Sequence, residues 1–294
     1  MNSVQEYLAE KKAWIDKELD QRLPPAAERP AALHEAMRYS VLAGGKRIRP
    51  ILCMAAAEAV GGSAKDALLP ALALEVLHTY TLIHDDLPAM DNDALRRGIP
   101  TCHVKFGEAQ AILAGDALLT LAFEWTAECQ APKPYLPNQI SLELAAAAGS
   151  RGVIGGQVED LAAEGRAPDA DTVDYIHLHK TAELIRAALR IGAISAGAKP
   201  AELDALTIYG CNVGLVFQIT DDILNATSSA EVLGKAAGSD SARGKMTYPA
   251  LYGIEGARKK AEELVDRALT ELGKLKGHVE PLNLIALHVL QRDR

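Results

Sequence analysis

An all-α fold is what this sequence predicts, on three observations. Hydrophobic residues make up 49% of the 294 and charged residues 24%, enough for a large core, yet aromatic residues are only 4%. Ala and Leu are abundant and β-branched runs few, which favours helix over strand by propensity. Helix-length segments are punctuated by Pro and Gly throughout. No Pro-, Gly- or Ser-rich linker divides the chain, so residues 1–294 are expected to form one domain, although length alone would allow about two.

The elements follow in order. The first twenty residues, MNSVQEYLAEKKAWIDKELD, alternate apolar and charged positions as an amphipathic helix does and lack the apolar run and cleavage site of a secretory signal. A helix is expected there over about residues 3–22, closed by Pro24-Pro25, with others over about 30–42, 47–60 and 65–87 between the glycine pairs at 44–45 and 61–62. Beyond Gly98-Ile99-Pro100, helices over about 107–130 and 137–149 flank the APKP segment. Gly155-Gly156 is read as a break, followed by helices over about 171–197 and 202–225. After Gly238-Ser239-Asp240 come about 246–253, 256–275 and 281–291. The stretch 228–245, rich in Ser, Gly and Lys, is a candidate lid.

Composition also excludes function classes. A net charge of -8 argues against a nucleic-acid surface, because the basic residues are gathered at a few points. Cys53, Cys102, Cys129 and Cys211 are far apart without CxxC spacing, so neither zinc nor disulfides are indicated, and reduced thiols in a cytoplasmic protein are expected. No stretch of 18 uninterrupted apolar residues occurs and QRDR is no lipidation signal, so neither a membrane span nor an anchor is expected.

Two acid pairs in otherwise apolar helical stretches, HDDLPAMDND at 84–93 and QITDDILN at 218–225, carry most of the information. Adjacent carboxylates at the end of a run such as LALEVLHTYTLI cost folding energy unless a cation neutralises them. In the second cluster Gln218, Asp221, Asp222 and Asn225 stand at i, i+3, i+4 and i+7, one oxygen-bearing face. In the first, His78, Thr81, Leu82 and Asp85 share a face, but Asp85 and Asp91 would stand about 120° apart on a regular helix. Pro88 should loosen the helix and let Asp91 fold back. Sparse carboxylates suit Mg²⁺, which keeps several waters and joins protein to phosphate, whereas a Ca²⁺ loop would need a D-x-D-x-D-G pattern that is absent. The two clusters are expected to form opposite walls of one cavity.

Basic segments suited to phosphate complete the pattern: GGKRIRP, LRRG, HKT and GKMTYP. Lys46, Arg47 and Arg49 could instead be a solvated loop, and Arg96-Arg97 a charged turn. His177 and His179 are expected to be a capping or surface pair, and Cys102 and His103 to be structural.

Taken in order, GGKRIRP, HDDLPAMDNDALRRG, GGQVEDL, HKTAELI, FQITDDILN and GKMTYPAL give the chain, over nearly its whole length, a resemblance to the short-chain polyprenyl diphosphate synthases, closest to the bacterial farnesyl type. The resemblance implies a single all-α bundle around a deep central cavity, a homodimer, and Mg²⁺-dependent condensation of isopentenyl diphosphate with allylic diphosphates, giving farnesyl diphosphate and pyrophosphate. It implies that Asp85 and Asp91, supported by Asp86, hold two Mg²⁺ and that Asp221, helped by Asp222 and Gln218, holds a third. Arg96, Lys180, Lys235 and Lys245 would clamp the allylic diphosphate, and Lys46, Arg49, His78 and Arg97 the isopentenyl diphosphate, with Gly45 bringing backbone close. Thr181 and Gln218 would lie near the reacting carbons, and Gln157 and Asp160 would line the site. Thr81 and Tyr80, four and five residues before the first Asp, would set product length, the bulky Tyr80 favouring fifteen carbons; a geranyl or geranylgeranyl product is the alternative. One departure stands out: Asn225 occupies the place of the last Asp of the second motif, so weaker affinity for the third metal is expected. A terpene cyclase would not need the second diphosphate pocket, and a non-catalytic subunit of a heteromeric synthase is the reading that Asn225 leaves open.

Overall fold

The structure, a computed structural model, describes residues 3–227 and 245–292, so Lys235 and all but the end of the candidate lid lie outside the described residues. These fall into two units: Met1–Ile51 with Leu68–Cys129, and Leu52–Ala67 with Gln130–Arg294. Both are helical, as the composition predicts.

In the first unit, α1 (Val4–Arg22) opens with a capping box in which Ser3 Oγ accepts from the Glu6 N–H and the Glu6 carboxylate accepts from the Ser3 N–H. The unit continues through α2 (Ala31–Leu42), the first turn of α3 (Ile48–Ala59), α4 (Leu68–Asp85), a two-residue hairpin of β1 (Leu95–Arg96) and β2 (Ile99–Pro100), α5 (Cys102–Phe106) and α6 (Glu108–Ala127). Helix α4 is its core element, buried without interruption from Pro70 to Leu77, as befits a helix apolar on every side. Its one buried charge there, Glu75, is 2% exposed and needs a cation. Arg47 supplies it, donating to Glu75 at 2.6 Å, to Asp16 at 2.8 Å and to the Val41 carbonyl at 2.7 Å. The loop from Gly44 is therefore pinned to α1, α2 and α4 by one guanidinium. Arg47 is not the solvated residue that a loop reading allows. In the hairpin, Arg97 (φ 55°) and Gly98 (φ 79°) both take left-handed conformations, the pattern of a type I′ turn.

The second unit contains α7 (Gln139–Ala148), α8 (Val153–Ala163), α9 (Ala170–Ile176), a π-helical segment (His177–Ala182), α10 (Glu183–Ser195), α11 (Pro200–Thr227), α12 (Tyr248–Leu272) and α13 (Glu280–Leu290). Helix α11 is central, packing against α10, the π segment, α12 and α13. Two expectations are corrected here. Gly155-Gly156 lies inside α8 instead of breaking it, because a Cβ on Gly156 would come within 2.3 Å of the Lys180 backbone nitrogen: the glycine serves close packing. The single helix expected over 171–197 is interrupted by the π segment, which lies against Gly156 on one side and Gly214 on the other; a Cβ on Gly214 would stand 2.5 Å from Ala182 Cα. The two helices expected over 246–253 and 256–275 are both present: α12 is broken at Gly253, whose φ of 68° and ψ of 171° are not helical.

Two segments, Ala64–Asp85 and Pro200–Thr227, are long and apolar enough to cross a bilayer by length and composition, but 67% and 61% of their apolar windows are buried within the protein. They are core helices by position, each with an acid pair at or near its C-terminal end.

Candidate active site

In the first unit, α4 ends at Asp85 and the chain reverses. Leu87 N–H donates to the His84 carbonyl (3.2 Å), Asn92 N–H to that of Leu87 (3.0 Å) and Asp91 N–H to that of Asp85 (2.8 Å). Pro88 stands exposed at the turn, and the fold-back expected from it brings Asp91 beside Asp85, both half-exposed. Asp86 is different: it is 3% exposed and grips Arg96, accepting from Nε at 2.8 Å and from Nη2 at 2.5 Å. Burial pushes the Asp86 carboxyl up and Arg96 pulls it back, with Asp93 and Asp91 raising it further. A cavity of about 40 Å³ behind this pair, lined by Tyr39, Thr79 and Leu82 among others, has room for a few waters at most.

Beside this turn the unit gathers positive charge. Arg49 and His78 meet at 3.1 Å, and Arg49 Nε is buried without a partner among the described residues. Burial, and then the neighbouring Arg97, pushes Arg49 down to about 10 in spite of Glu75. His78 is driven well below its usual range by burial and then by Arg49, Arg97, Arg96 and Arg47, so it is neutral at pH 7. Arg97 is lowered by burial and by Arg47 and Arg96, against the pull of Glu75 and Asp86. Cations that depress one another around a buried donor are chemically suited to an anion. Gly45 helps to build it: Arg97 donates to the Gly44 carbonyl, and a Cβ on Gly45 would stand 2.7 Å from the Arg97 guanidinium carbon. Lys46 is exposed at the same loop. Thr81 donates to the His78 carbonyl at 2.8 Å, and Tyr80 is 7% exposed.

The second unit brings together its own predicted residues. Lys180 in the π segment donates to Asp160 on α8 at 2.5 Å, and Lys245 stands 3.5 Å from the same oxygen. Burial raises the Asp160 carboxyl, but the two lysines together hold it below its usual range. Thr181 donates to Gln218 Oε1 at 2.7 Å, and Gln218 Nε2 donates to Asp222 at 2.7 Å. Asp222 also accepts from the Tyr248 backbone N–H at 3.2 Å and is buried, whereas the Asp221 side chain is 45% exposed with Arg292 at 3.3 Å. Asn225 is buried behind them. Both polar atoms of Gln157 are buried without a partner among the described residues.

Sequence reasoning missed three members of this network. His177, expected at the surface, is buried: its Nε2 is 3.4 Å from Asp222 and its ring stacks on Tyr248, while His179 stacks on Tyr175. Burial pushes His177 down to about 4, so it is neutral. His177 stands one turn after the buried Val173, so helical spacing could have placed it inward. Tyr248 holds Asp222 by its N–H and donates its hydroxyl to Asp174. Arg292 lies over the Phe217 ring at 4.5 Å. Tyr248 falls within the GKMTYP segment and could have been singled out there; Arg292 carried no signal.

Among the described residues no three His, Cys, Asp or Glu side chains stand close enough to enclose a metal ion. Half-exposed carboxylates in pairs are hard oxygen donors for an ion that completes its shell with water and phosphate, which fits Mg²⁺.

Comparison with known proteins identifies the family. Residues 30–282 match the polyprenyl synthetase family. The chain is 49% identical over 266 residues to the farnesyl diphosphate synthase of Escherichia coli K12, covering 88% of this chain and 89% of that one. It is 44% identical over 289 residues to the geranylgeranyl diphosphate synthase of Cyanophora paradoxa, covering 98% and 96%. Among solved structures, a geranyltransferase of Helicobacter pylori complexed with magnesium and isoprenyl diphosphate superposes with a TM-score of 0.81 at 34% identity, over 99% of this chain and 97% of that one.

Proposed function

The chain belongs to the polyprenyl synthetase family and is a prenyltransferase, and from that premise we propose that it condenses isopentenyl diphosphate head-to-tail with dimethylallyl and geranyl diphosphates to give farnesyl diphosphate. The observation that carries the reading is the cation cluster of Arg49, Arg97 and neutral His78, with the buried Arg49 Nε, unpartnered among the described residues. A terpene cyclase has no use for a diphosphate pocket of its own at that place.

In this reading Arg49, Arg97, His78 and Lys46 hold the isopentenyl diphosphate, and Arg96, Lys180 and Lys245, with Lys235, take the allylic one. Asp85 and Asp91, with Asp86 behind them, and Asp221, with Asp222 behind it, hold three Mg²⁺. Bound there, Mg²⁺ neutralises the diphosphate oxygens as negative charge grows on the leaving group. Arg96 and Lys180 are already held in place by Asp86 and Asp160, so their charge is positioned before the allylic carbon–oxygen bond breaks. The isopentenyl double bond attacks the allylic carbon, and the proton then lost goes to the released pyrophosphate, the nearest strong base. No side-chain nucleophile is used. Thr181 and Gln218, fixed to each other, line the reacting carbons and help to exclude water.

Tyr80 closes the product pocket at fifteen carbons. A twenty-carbon product is the second reading, favoured by the similarity to the Cyanophora paradoxa enzyme. We further propose one synthase domain over residues 1–294, acting as a cytoplasmic homodimer. Incubating the purified chain with labelled isopentenyl diphosphate, Mg²⁺ and each of the five-, ten- and fifteen-carbon allylic diphosphates tests the assignment. Growth of the first two to fifteen carbons is expected; growth of all three to twenty selects the second reading, and no condensation overturns both.

A further inference from the structure

Tyr80 does not stand alone on α4. One turn on, its ring meets His84 edge to face, with centroids 5.2 Å apart and planes at 85°. His84 is itself seated on α6: its Nε2 lies 3.1 Å from the Ile112 carbonyl and 3.9 Å from an Asp116 carboxylate oxygen. A carbonyl can only accept, so Nε2 carries the proton and donates. The seat exists because residue 115 is glycine. A Cβ there would stand 2.2 Å from His84 Nε2 and 2.5 Å from Cδ2, inside any tolerable contact. Gly115 is buried in the middle of α6, where alanine would be the better helix former, so its cost to the helix is offset by what it admits.

We infer that Gly115 and His84 are specificity-determining positions: the notch at Gly115 fixes the His84 ring, the ring fixes the tilt of Tyr80, and that tilt sets the depth left to the growing chain. The inference rests on the reading of Tyr80 as the floor of the product pocket. Both residues act through Tyr80, so they are positioning residues. The seat lies wholly on α4 and α6 of one unit, and none of its three members has been given a part in binding metal or diphosphate.

The readout is the share of product longer than the main wild-type product, measured for Tyr80→Ala, His84→Ala, Gly115→Ala and the Gly115→Ala/His84→Ala double variant. Removing the floor should raise that share roughly tenfold, and removing either part of the seat roughly threefold. The double variant should match His84→Ala alone, because an added methyl has no ring left to evict. Gly115→Ala keeps α6 helical, so it remains informative if His84→Ala does not fold. If Tyr80→Ala lengthens the product while Gly115→Ala and His84→Ala leave it unchanged, the seat is overturned and the floor stands. Additive effects in the double variant also overturn the seat. If Tyr80→Ala changes nothing, the floor falls and the seat with it.

Discussion

Asp85-Asp86 and Asp221-Asp222 are the same dipeptide at the ends of two core helices, and the protein treats them alike in one respect and differently in another. In each, the first carboxylate faces outward and the second is buried as an anchor. Asp86 is anchored by the Arg96 guanidinium, a full charge. Asp222 is anchored through the Gln218 amide and the Tyr248 backbone N–H, with neutral His177 beside it. The first cluster thus positions a cation beside its proposed metal ligand, whereas the second fixes Gln218 and, through it, Thr181. A DD pair in a sequence is therefore two different residues, one exposed and one a buried scaffold, and the partner of the buried one decides what else is held in place.

Breaking the outward members should have the largest effect. Asp85→Ala is expected to lower turnover about a thousandfold and Asp221→Ala about a hundredfold, since the second cluster already lacks one carboxylate at Asn225. Equal losses in steady-state rates would erase the difference between the two clusters. Breaking the anchors acts on stability instead. Asp86→Asn, which leaves a part-buried guanidinium short of its counter-charge, should cost about 2 kcal/mol in urea unfolding, and Asp222→Asn, which keeps an acceptor for its N–H donors, about 1 kcal/mol. The reverse order would show that charge is not what distinguishes the two anchors.

The first cluster's cations also make a pH signature. His78 stays neutral in the folded protein well below its unfolded value of 6.5, so acid protonates the unfolded chain first. Stability is therefore present above about pH 6.5 and lost as pH falls toward the folded value, by up to about 1.4 kcal/mol per pH unit. His78→Gln should flatten that slope between pH 6.5 and 5, as read by unfolding midpoints. The smallest effect concerns the second cluster: Asn225→Asp should lower the Mg²⁺ concentration for half-maximal rate about threefold by adding a ligand charge, and identical metal dependence would remove any handicap from Asn225.

Much of this was legible before any coordinates. The fold-back at Pro88 and the Gln218–Asp222 alignment follow from proline's geometry and from helical spacing, which are local rules, whereas only the resemblance puts Thr181 near Gln218. What was not legible depends on neighbours far along the chain. Gly155-Gly156 reads as a break because nothing in the local sequence reveals that Lys180 packs against it. His177 reads as a capping or surface residue because nothing near it in the sequence reveals the Asp222 and Tyr248 that it meets. Arg292 reads as a tail residue, yet its guanidinium sits on Phe217 beside Asp221. Tyr80 lies between: its bulk was visible, but its seat on His84 and Gly115 was not.

The most direct measurement is pyrophosphate release by the purified chain with Mg²⁺, given isopentenyl diphosphate alone, geranyl diphosphate alone, or both. Two diphosphate pockets working on one reaction predict release only when both substrates are present. Release from geranyl diphosphate alone, or none with both, would contradict the account.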